Sequence, residues 1–298
     1  MKPIVIATRR SALAKVQAAL VAQRVWECME CPCQLLEVSA TGDQRLDWSL
    51  QKEGGKGLFT AELEETLLAG TADLAVHSAK DLPGQPIPGL VTAGYLRRGD
   101  AADVLVRRQG VDPVRVVATG SPRRRGQLAA RWPGTEFIEL RGNVETRLHK
   151  LAEGAADGTV LAAAGLDRLG IFAWPGLEFD RLSLAESVPA VAQGAIAVQC
   201  RAGRELPWRV MLDRATADAV GLERALQRHV GAGCQAAFAA HATPTCLHLW
   251  HPEVGYRSFG LNPFDFTFPE AAADRYLPVF FGASRPQPPG GGAMPIWR

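Results

Sequence analysis

Residues 4–20 read IVIATRRSALAKVQAAL, and this stretch indicates the architecture of the chain. The apolar run at 4–7 is typical of a buried β-strand. Beyond it, Leu13, Val16 and Leu20 fall on one face of a helix that begins near Ser11. A buried strand that leads directly into such a helix is the repeating unit of α/β layers.

The same alternation of strand and helix continues along the chain. It predicts α/β units around largely parallel sheets, with the apolar run at 196–200 returning as a strand to the first sheet. Further strands are expected at 35–38, 72–77, 104–106, 116–119 and 247–250, and helices at 58–68 and 221–229.

We therefore expect three domains and a tail. The tail is rich in Pro and Gly and cannot bury enough apolar surface to order itself, so we expect it to be flexible. The expected ranges are 1–97 with 194–215 for domain 1, 98–193 for domain 2, 216–283 for domain 3 and 284–298 for the tail.

Charge and hydropathy exclude several classes of protein. The 298 residues include 33 Lys and Arg against 31 Asp and Glu, a net charge of +2, which gives little support to nucleic-acid binding. No apolar stretch approaches the ~18 to 20 residues of a membrane span. The apolar run near the N-terminus is too short for a signal peptide, so we expect a cytoplasmic protein.

The cysteines do not indicate a metal site. Six thiols are too sparse for a disulfide scaffold. Cys28, Cys31 and Cys33 lie close together, but no second Cys pair or nearby His completes a tetrahedral set. We interpret them as incidental thiols and expect no metal.

Arginines occur at three expected helix starts. Ser121 is a good N-cap, which puts Arg123 and Arg124 in the first helical turn, where cations oppose the helix dipole. That arrangement costs roughly 0.3 to 1 kcal/mol per exposed charge and calls for an offsetting anion. Similar starts occur at Asn143, with Arg141 and Arg147, and at Ser11, with Arg9. Any one arginine could equally be a solvated surface charge, but three such starts favour a receptor for a polyanion.

Two further residues are candidates for chemistry. Asp81 follows a predicted strand in AVHSAKDLP (75–83), where open α/β sheets place their ligand crevices, although such an Asp can also be a turn residue. Lys80 beside it could keep the carboxylate ionised or bind an anion. Cys234 lies on a loop of small residues that would let a bulky group reach the sulfur; the alternative is a buried apolar filler.

Six segments together resemble the porphobilinogen deaminase, or hydroxymethylbilane synthase, family. They occur in the family's order and cover about residues 4 to 235. They are IATRRSALA (6–14), GGKGLF (54–59), VHSAKDLP (76–83), LRGN with TRL (140–148), AGLDRLG (164–170) and GCQ (233–235). One departure is AGCQAAFA (232–239), where the family usually has GGCQVPIG.

The resemblance implies a fold and an activity. The fold is α/β: two periplasmic-binding-protein-like (type II) domains and a smaller C-terminal α/β domain. The activity is that of a transferase of porphyrin and heme biosynthesis. It joins four porphobilinogens, with loss of ammonia, to a dipyrromethane cofactor held as a thioether on Cys234, and hydrolysis then releases hydroxymethylbilane. The resemblance implies that the partner is the small-molecule substrate and that no metal takes part. We expect a monomer.

It also implies the roles of individual residues. Asp81 would stabilise the electron-poor methylene-pyrrole and then accept a proton, with Lys80 beside it. A lid would include Asp43, Lys52 and Lys56, and Phe59 would follow it, although Phe59 is equally a core residue. Besides Lys80, the residues expected to bind the carboxylates of cofactor and substrate are Arg9, Ser11, Ser121, Arg123, Arg124, Arg141, Gly142, Asn143, Arg147 and Arg168.

Two other functions remain possible on the residues alone. A two-lobed fold with anion-binding arginines would suit a non-catalytic carrier of small carboxylates; Asp81 and Cys234 in the same chain argue against it. A nucleic-acid-binding protein could use the cluster at 123–125, but it lacks interleaved aromatic residues.

Overall fold

The computed structural model describes residues 2–39, 60–84, 87–231 and 237–282. The first unit consists of β1 (Ile4–Arg9), α1 (Ala12–Met29), β2 (Cys33–Val38), α2 (Ala61–Leu68), β3 (Leu74–Ser78), a 3-10 turn (Ala79–Asp81) and β4 (Leu90–Tyr95). The second consists of β5 (Asp103–Arg108), β6 (Val116–Ala118), α3 (Pro122–Arg131), β7 (Glu136–Ile138), α4 (Val144–Ala152), β8 (Gly158–Ala162), α5 (Ala163–Arg168) and β9 (Leu177–Arg181). The remaining elements are β10 (Ile196–Arg201), a 3-10 segment (Leu206–Met211), α6 (Arg214–Val230), β11 (Ala239–Ala242), β12 (Cys246–His251), β13 (Gly255–Gly260), α7 (Pro263–Thr267) and α8 (Pro269–Phe281).

The two large sheets share one topology. Their strand orders are β2-β1-β3-β10-β4 and β7-β6-β8-β5-β9. The fourth strand of each order, β10 or β5, runs antiparallel to its neighbours. The chain crosses between the sheets twice, after β4 and after β9, so the two lobes are joined by two segments. This arrangement confirms the predicted pair of type II α/β units, and β10 confirms the predicted return to the first sheet.

The third unit is smaller. The sheet β11-β12-β13 is antiparallel, and its core cluster includes residues of α6 and α8. Helix α6 begins earlier than predicted because the Asp213 carboxylate caps it, accepting from the Thr216 N–H at 2.8 Å, and because Gly221 is tolerated within the helix. The three sheets lie inside the three expected domain ranges, whose limits stay predictions.

The cores explain how the units fit together. Apolar residues of α1 and α2 cover the first sheet in two separate clusters. The core of the third unit includes Ala79 and Leu82, which flank Lys80 and Asp81, together with Leu222 and Leu226 of α6. The backbone that carries the candidate catalytic residues is therefore packed against the third unit. Within the described ranges, no helix is long and apolar enough to cross a membrane.

Candidate active site between the two large units

A cleft of about 980 Å³ lies between the two large units. Its walls come from the segments after β1, β3, β7 and β8, which are the carboxyl ends of parallel strands in both sheets. Its described lining has seven basic side chains and two acidic ones, so the cleft is suited to an anion with several charges. The basic residues are Arg9, Arg10, Lys80, Arg124, Arg141, Arg147 and Lys150; the acidic residues are Asp81 and Glu145.

Asp81 is presented to this cleft by a short turn. It ends the 3-10 turn that follows β3 directly, and its side chain is exposed whereas Ala79 and Leu82 are buried. Within the described part of the chain, no hydrogen bond or ion pair engages its carboxylate. The buried neighbours hold the turn in place, so the carboxylate is both fixed at its base and available to a ligand.

Lys80 lies against charges from the second unit. Burial lowers its pKa to about 8, an effect opposed by the Asp81 carboxylate and reinforced by the Arg124 guanidinium. The ammonium therefore remains mostly protonated at neutral pH. A negatively charged ligand in the cleft would stabilise this charged form further.

The N-terminus of α1 supplies one predicted anion site. The Ser11 hydroxyl accepts from the Ala14 N–H at 3.3 Å, so Ser11 caps the helix as predicted. Arg9 and Arg10 precede the cap, and all these residues line the cleft. The first N–H groups of an α-helix have no partner within the helix, so they add to the positive potential of the two arginines.

The N-terminus of α4 supplies a second site from the opposite unit. The Asn143 side chain accepts from the Thr146 N–H at 2.8 Å, and the Arg147 Nε donates to the Gly142 carbonyl at 2.8 Å. Gly142 has a φ of +123°, and a Cβ there would lie 2.6 Å from a Thr146 methyl carbon. The helix start thus requires glycine at this position. Arg141, paired with Glu139 at 3.2 Å, completes the cluster.

Positive charges crowd this wall of the cleft. Burial lowers the pKa of Arg147, and the neighbouring Arg124 and Arg141 lower it further, whereas Asp81 across the cleft raises it. Cations that disfavour one another in this way are stabilised by a bound anion.

The arginines at the start of α3 have a partner inside the protein. Arg123 and Arg124 reach opposite oxygens of the buried Asp103 at 2.8 and 2.7 Å. Burial alone would raise the pKa of Asp103, but the two guanidinium groups hold it well below its usual range. The offsetting anion expected from the sequence is thus supplied by β5. Arg124 still borders the cleft, whereas Arg123 points to Asp103 and the Val188 carbonyl instead.

Two other predicted residues lie away from the cleft lining. Ser121 caps α3, accepting from the Arg124 N–H at 3.4 Å. Arg168 donates to the Gly194 carbonyl at 2.6 Å, on the segment that joins β9 to β10, and burial lowers its pKa. Their predicted contacts with ligand carboxylates, like that of Arg123, stay predictions. Cys234, Asp43, Lys52, Lys56 and Phe59 lie outside the described residues.

Comparison with known proteins gives the family. A family model described as "Porphobilinogen deaminase, dipyromethane cofactor binding domain" matches residues 4–207. The chain belongs to the porphobilinogen deaminase family. This result confirms the resemblance drawn from the six motifs, and the matched model confirms the expected dipyrromethane cofactor.

Relatives in the porphobilinogen deaminase family cover most of the chain. The protein of Thiobacillus denitrificans is 44% identical over 253 residues, covering 82% of this chain and 81% of its own. The protein of Syntrophotalea carbinolica is 43% identical over 248 residues, which cover 80% of this chain and 78% of that protein. That of Neisseria meningitidis serogroup A is 42% identical over 251 residues, covering 81% and 80%. All three are named porphobilinogen deaminase.

Sequence reasoning missed several residues of this site. Lys150 lines the cleft and donates to the Arg141 carbonyl at 3.3 Å; its spacing from Asn143 and Arg147 puts all three on one helix face, which is a detectable signal. Asp103 gave no such signal, because its partners are far away in sequence. Gln17 and Ser78, joined by a 2.9 Å hydrogen bond, also line the cleft.

His77 is a further missed residue of the lining. It is buried beside Gln199, whose side-chain oxygen lies 3.0 Å from the His77 Nε2. Burial lowers its pKa to about 4, so the imidazole is neutral at physiological pH. The described side chains form no group of three or more His, Cys, Asp or Glu that could hold a metal ion.

Proposed function

We propose that the cleft between the two large units is the active site of a porphobilinogen deaminase and that Asp81 is its catalytic carboxylate. Family membership shows the reaction: deaminating polymerisation of four porphobilinogens onto a dipyrromethane cofactor, followed by release of hydroxymethylbilane. One observation supports the proposed site above all. An exposed carboxylate, which has no hydrogen bond or ion pair with any residue in the described ranges, faces a cleft whose other charged groups are predominantly cationic.

The lining fits the cofactor. Each pyrrole carries an acetate and a propionate, so a dipyrromethane has four carboxylates and needs several cationic partners. Arg9 with Ser11 on one wall, and Arg141, Asn143 and Arg147 on the other, combine guanidinium groups with helix N-termini. Such hydrogen bonds to charged groups contribute about 1.5 to 3 kcal/mol each. Lys80, Arg124 and Gly142 complete the proposed set.

The cofactor, attached through the proposed thioether to Cys234, supplies the terminal pyrrole to which substrate is joined. The protein residues control charge and protons around the substrate. When the aminomethyl C–N bond of porphobilinogen breaks and ammonia leaves, the methylene carbon becomes electron-poor. We assign to Asp81 the stabilisation of this positive charge through the substrate pyrrole N–H. Once a pyrrole ring carbon has formed the new C–C bond to this methylene, that ring carbon must lose its proton, and we assign acceptance of the proton to the Asp81 carboxylate.

The buried arginines take a supporting role in this proposal. Asp103, held by Arg123 and Arg124, leaves one net positive charge beside Lys80. That charge and the Lys80 ammonium favour acidic substituents close to Asp81 without requiring each guanidinium to touch the ligand. Direct carboxylate contacts by Arg123, Ser121 and Arg168, and a lid containing Asp43, Lys52, Lys56 and Phe59, remain part of the proposal.

The setting of the enzyme is also proposed. We infer a cytoplasmic monomer that acts on small molecules and does not bind nucleic acid, supported by the net charge of +2. Light scattering of the purified protein measures its mass in solution, and a dimer would contradict the proposal. A carrier of small carboxylates is not favoured, because the family is one of deaminases.

Intact-protein mass spectrometry tests the proposed function. Protein incubated with porphobilinogen should carry an adduct equal to two deaminated porphobilinogens, and peptide mapping should place it on Cys234. The matched variant Cys234→Ser should lack the adduct and the activity. Wild-type protein that converts no porphobilinogen and carries no adduct would contradict the proposal.

A further inference from the structure

Arg224 connects the third unit to the turn that carries Asp81. From α6, its Nη2 donates to the Ala79 carbonyl at 2.6 Å and to the Leu82 carbonyl at 3.0 Å. Its Nη1 donates to the Gln227 side-chain oxygen at 3.0 Å. Arg224 is only 9% exposed, so these bonds form where little water competes for the donors.

The two carbonyls bracket the catalytic turn. Ala79 begins the turn and Leu82 follows it, so one nitrogen holds the backbone on both sides of Lys80 and Asp81. The Leu82 N–H closes the turn on the Ala79 carbonyl at 3.2 Å, and the Ala79 N–H donates to the Ala195 carbonyl at 3.0 Å. Without Arg224, each bracketing carbonyl loses a donor in a buried environment.

We propose that Arg224 is a positioning residue that sets where the Asp81 carboxylate lies relative to α6. This inference rests on the proposed catalytic role of Asp81. Helix α6 ends at Val230, and Cys234 follows four residues later in the sequence, so the helix that holds the turn also leads to the cofactor attachment residue. Arg224 acts through the backbone of residues 79–82, and it does not line the cleft.

The choice of side chain fits this task. A guanidinium directs several N–H groups within one plane. It can therefore donate to two backbone carbonyls and to the Gln227 side chain at the same time. A lysine would keep the charge but not the fixed fork. We therefore expect Arg224→Lys to retain part of the kcat that Arg224→Gln loses.

The experiment compares cofactor-loaded wild-type protein with Arg224→Lys, Arg224→Gln and a matched control. The control is Arg228→Gln, one turn further along α6, which removes a half-exposed arginine paired with the half-exposed Glu270. Intact mass gives the fraction carrying cofactor, to which rates are normalised. We expect kcat to fall about 10- to 100-fold in Arg224→Gln and less in Arg224→Lys, with KM within about 3-fold of wild type, because misplacement affects the reacting geometry. Arg228→Gln should match wild type.

Hydrogen exchange gives a readout that does not depend on turnover. The Ala79 and Leu82 amides, which donate to the Ala195 and Ala79 carbonyls, should exchange at least about 10-fold faster in Arg224→Gln than in Arg228→Gln, because the turn loses its anchor. If Arg224→Gln fails to fold, the same comparison is made with Arg224→Lys.

The possible outcomes separate the two proposals. A wild-type kcat per loaded, folded molecule in both Arg224 variants would overturn the positioning role. A raised KM with unchanged kcat would overturn it too. So would hydrogen exchange in the turn that is the same in Arg224→Gln as in Arg228→Gln. Wild-type protein that does not convert porphobilinogen would instead refute the proposed function, and the exchange comparison would still decide whether Arg224 holds the turn.

Discussion

At the scale of single residues, the site contrasts an exposed carboxylate with a buried, paired one. Asp81 is exposed in the cleft, whereas Asp103 is fully buried and bound by two guanidinium groups. The difference follows from position: Asp81 ends a surface turn, and Asp103 begins a strand in the interior of its sheet. Only the first can approach a substrate, and only the second must have charged partners to be buried.

Replacing Asp81 with Asn should separate charge from shape. We expect Asp81→Asn to lower kcat by at least ~100-fold. The neutral amide can neither stabilise the positive charge on the substrate nor accept the proton released after the new C–C bond forms. The melting temperature should stay within about 2 °C, since the side chain is exposed. Steady-state kinetics and thermal unfolding measure both. Asp218→Asn, which removes a partly buried carboxylate that pairs with Arg214 on α6, is the control; a wild-type rate in Asp81→Asn would refute the role.

Lys80 should give the enzyme a dependence on alkaline pH. With its pKa lowered to about 8, the ammonium is mostly charged at pH 7 and mostly neutral at pH 9. Binding of acidic substrate should weaken accordingly, so we expect kcat/KM to fall by up to about 10-fold over this range. Arg stays protonated, so Lys80→Arg should show a flatter profile. Parallel profiles in the two proteins would contradict this prediction.

At the scale of elements, helix starts form both the walls of the cleft and its supports. The caps Ser11 and Asn143 begin α1 and α4 at the lining, where the first N–H groups lack partners within their own helix and arginines border the cleft. Ser121 begins α3 in the same way, but Arg123 and Arg124 in its first turn pair with the buried Asp103. The same local motif therefore serves two purposes.

Substitution of two glycines that lie within helices tests how tightly α3 packs on the third unit. A Cβ at Gly126 would lie 2.4 Å from a ring carbon of the buried Trp250, whereas Gly221 in α6 has open space around it. We expect Gly126→Ala to destabilise the protein by roughly 1 to 3 kcal/mol. Gly221→Ala should stabilise it by up to about 1 kcal/mol through helix propensity.

Urea unfolding measures both substitutions. A second change, Trp250→Phe, should recover part of the stability lost in Gly126→Ala, because the smaller ring vacates the contested space. Equal effects of the two glycine substitutions would show that α3 and the third unit are not closely packed there.

At the scale of the whole molecule, one carboxylate joins three parts of the chain. Glu223 on α6 pairs at 2.6 Å with Arg98, which lies on the first crossing segment, between β4 and β5. It also accepts from the Ala192 N–H at 2.7 Å on the second crossing segment and from the Ala242 N–H at 2.9 Å on β11. Burial would raise the pKa of Glu223, but Arg98 and His241 lower it to about 2.

Removing this charge should loosen the junction. We expect Glu223→Gln to lower the free energy of unfolding by roughly 3 to 5 kcal/mol at pH 7, because the largely buried Arg98, 12% exposed, loses the carboxylate with which it pairs. The folded pKa lies below the usual value, so the stabilisation is present above about pH 4.5 and is lost as pH falls toward 2. The melting temperatures of variant and wild type should therefore converge as the pH falls from about 4.5 toward 2.

The matched control is Glu270→Gln, which removes a half-exposed partner of Arg228. It should change stability by less than about 1 kcal/mol, because exposed pairs contribute little. If Glu223→Gln loses as little stability at pH 7 as Glu270→Gln, the role of Glu223 at the junction is contradicted.

The sequence by itself determined the α/β alternation, the three capped helix starts and the motifs that indicate the family. These features are local: apolar periodicity and cap residues act within a few positions along the chain. The sequence therefore correctly predicted that Ser11 and Asn143 cap helices. It also correctly placed Asp81 after a strand, at the edge of a cleft.

Tertiary structure decided which charges remain available to a ligand. Arg123 and Arg147 look alike in sequence, since each follows a cap, yet β5 brings Asp103 to Arg123 while Arg147 stays in the cleft wall. Arg224 likewise meets Ala79 only because α6 packs on the first unit. Burial and partners for a charge depend on segments distant in sequence, and no local pattern specifies which segments those are.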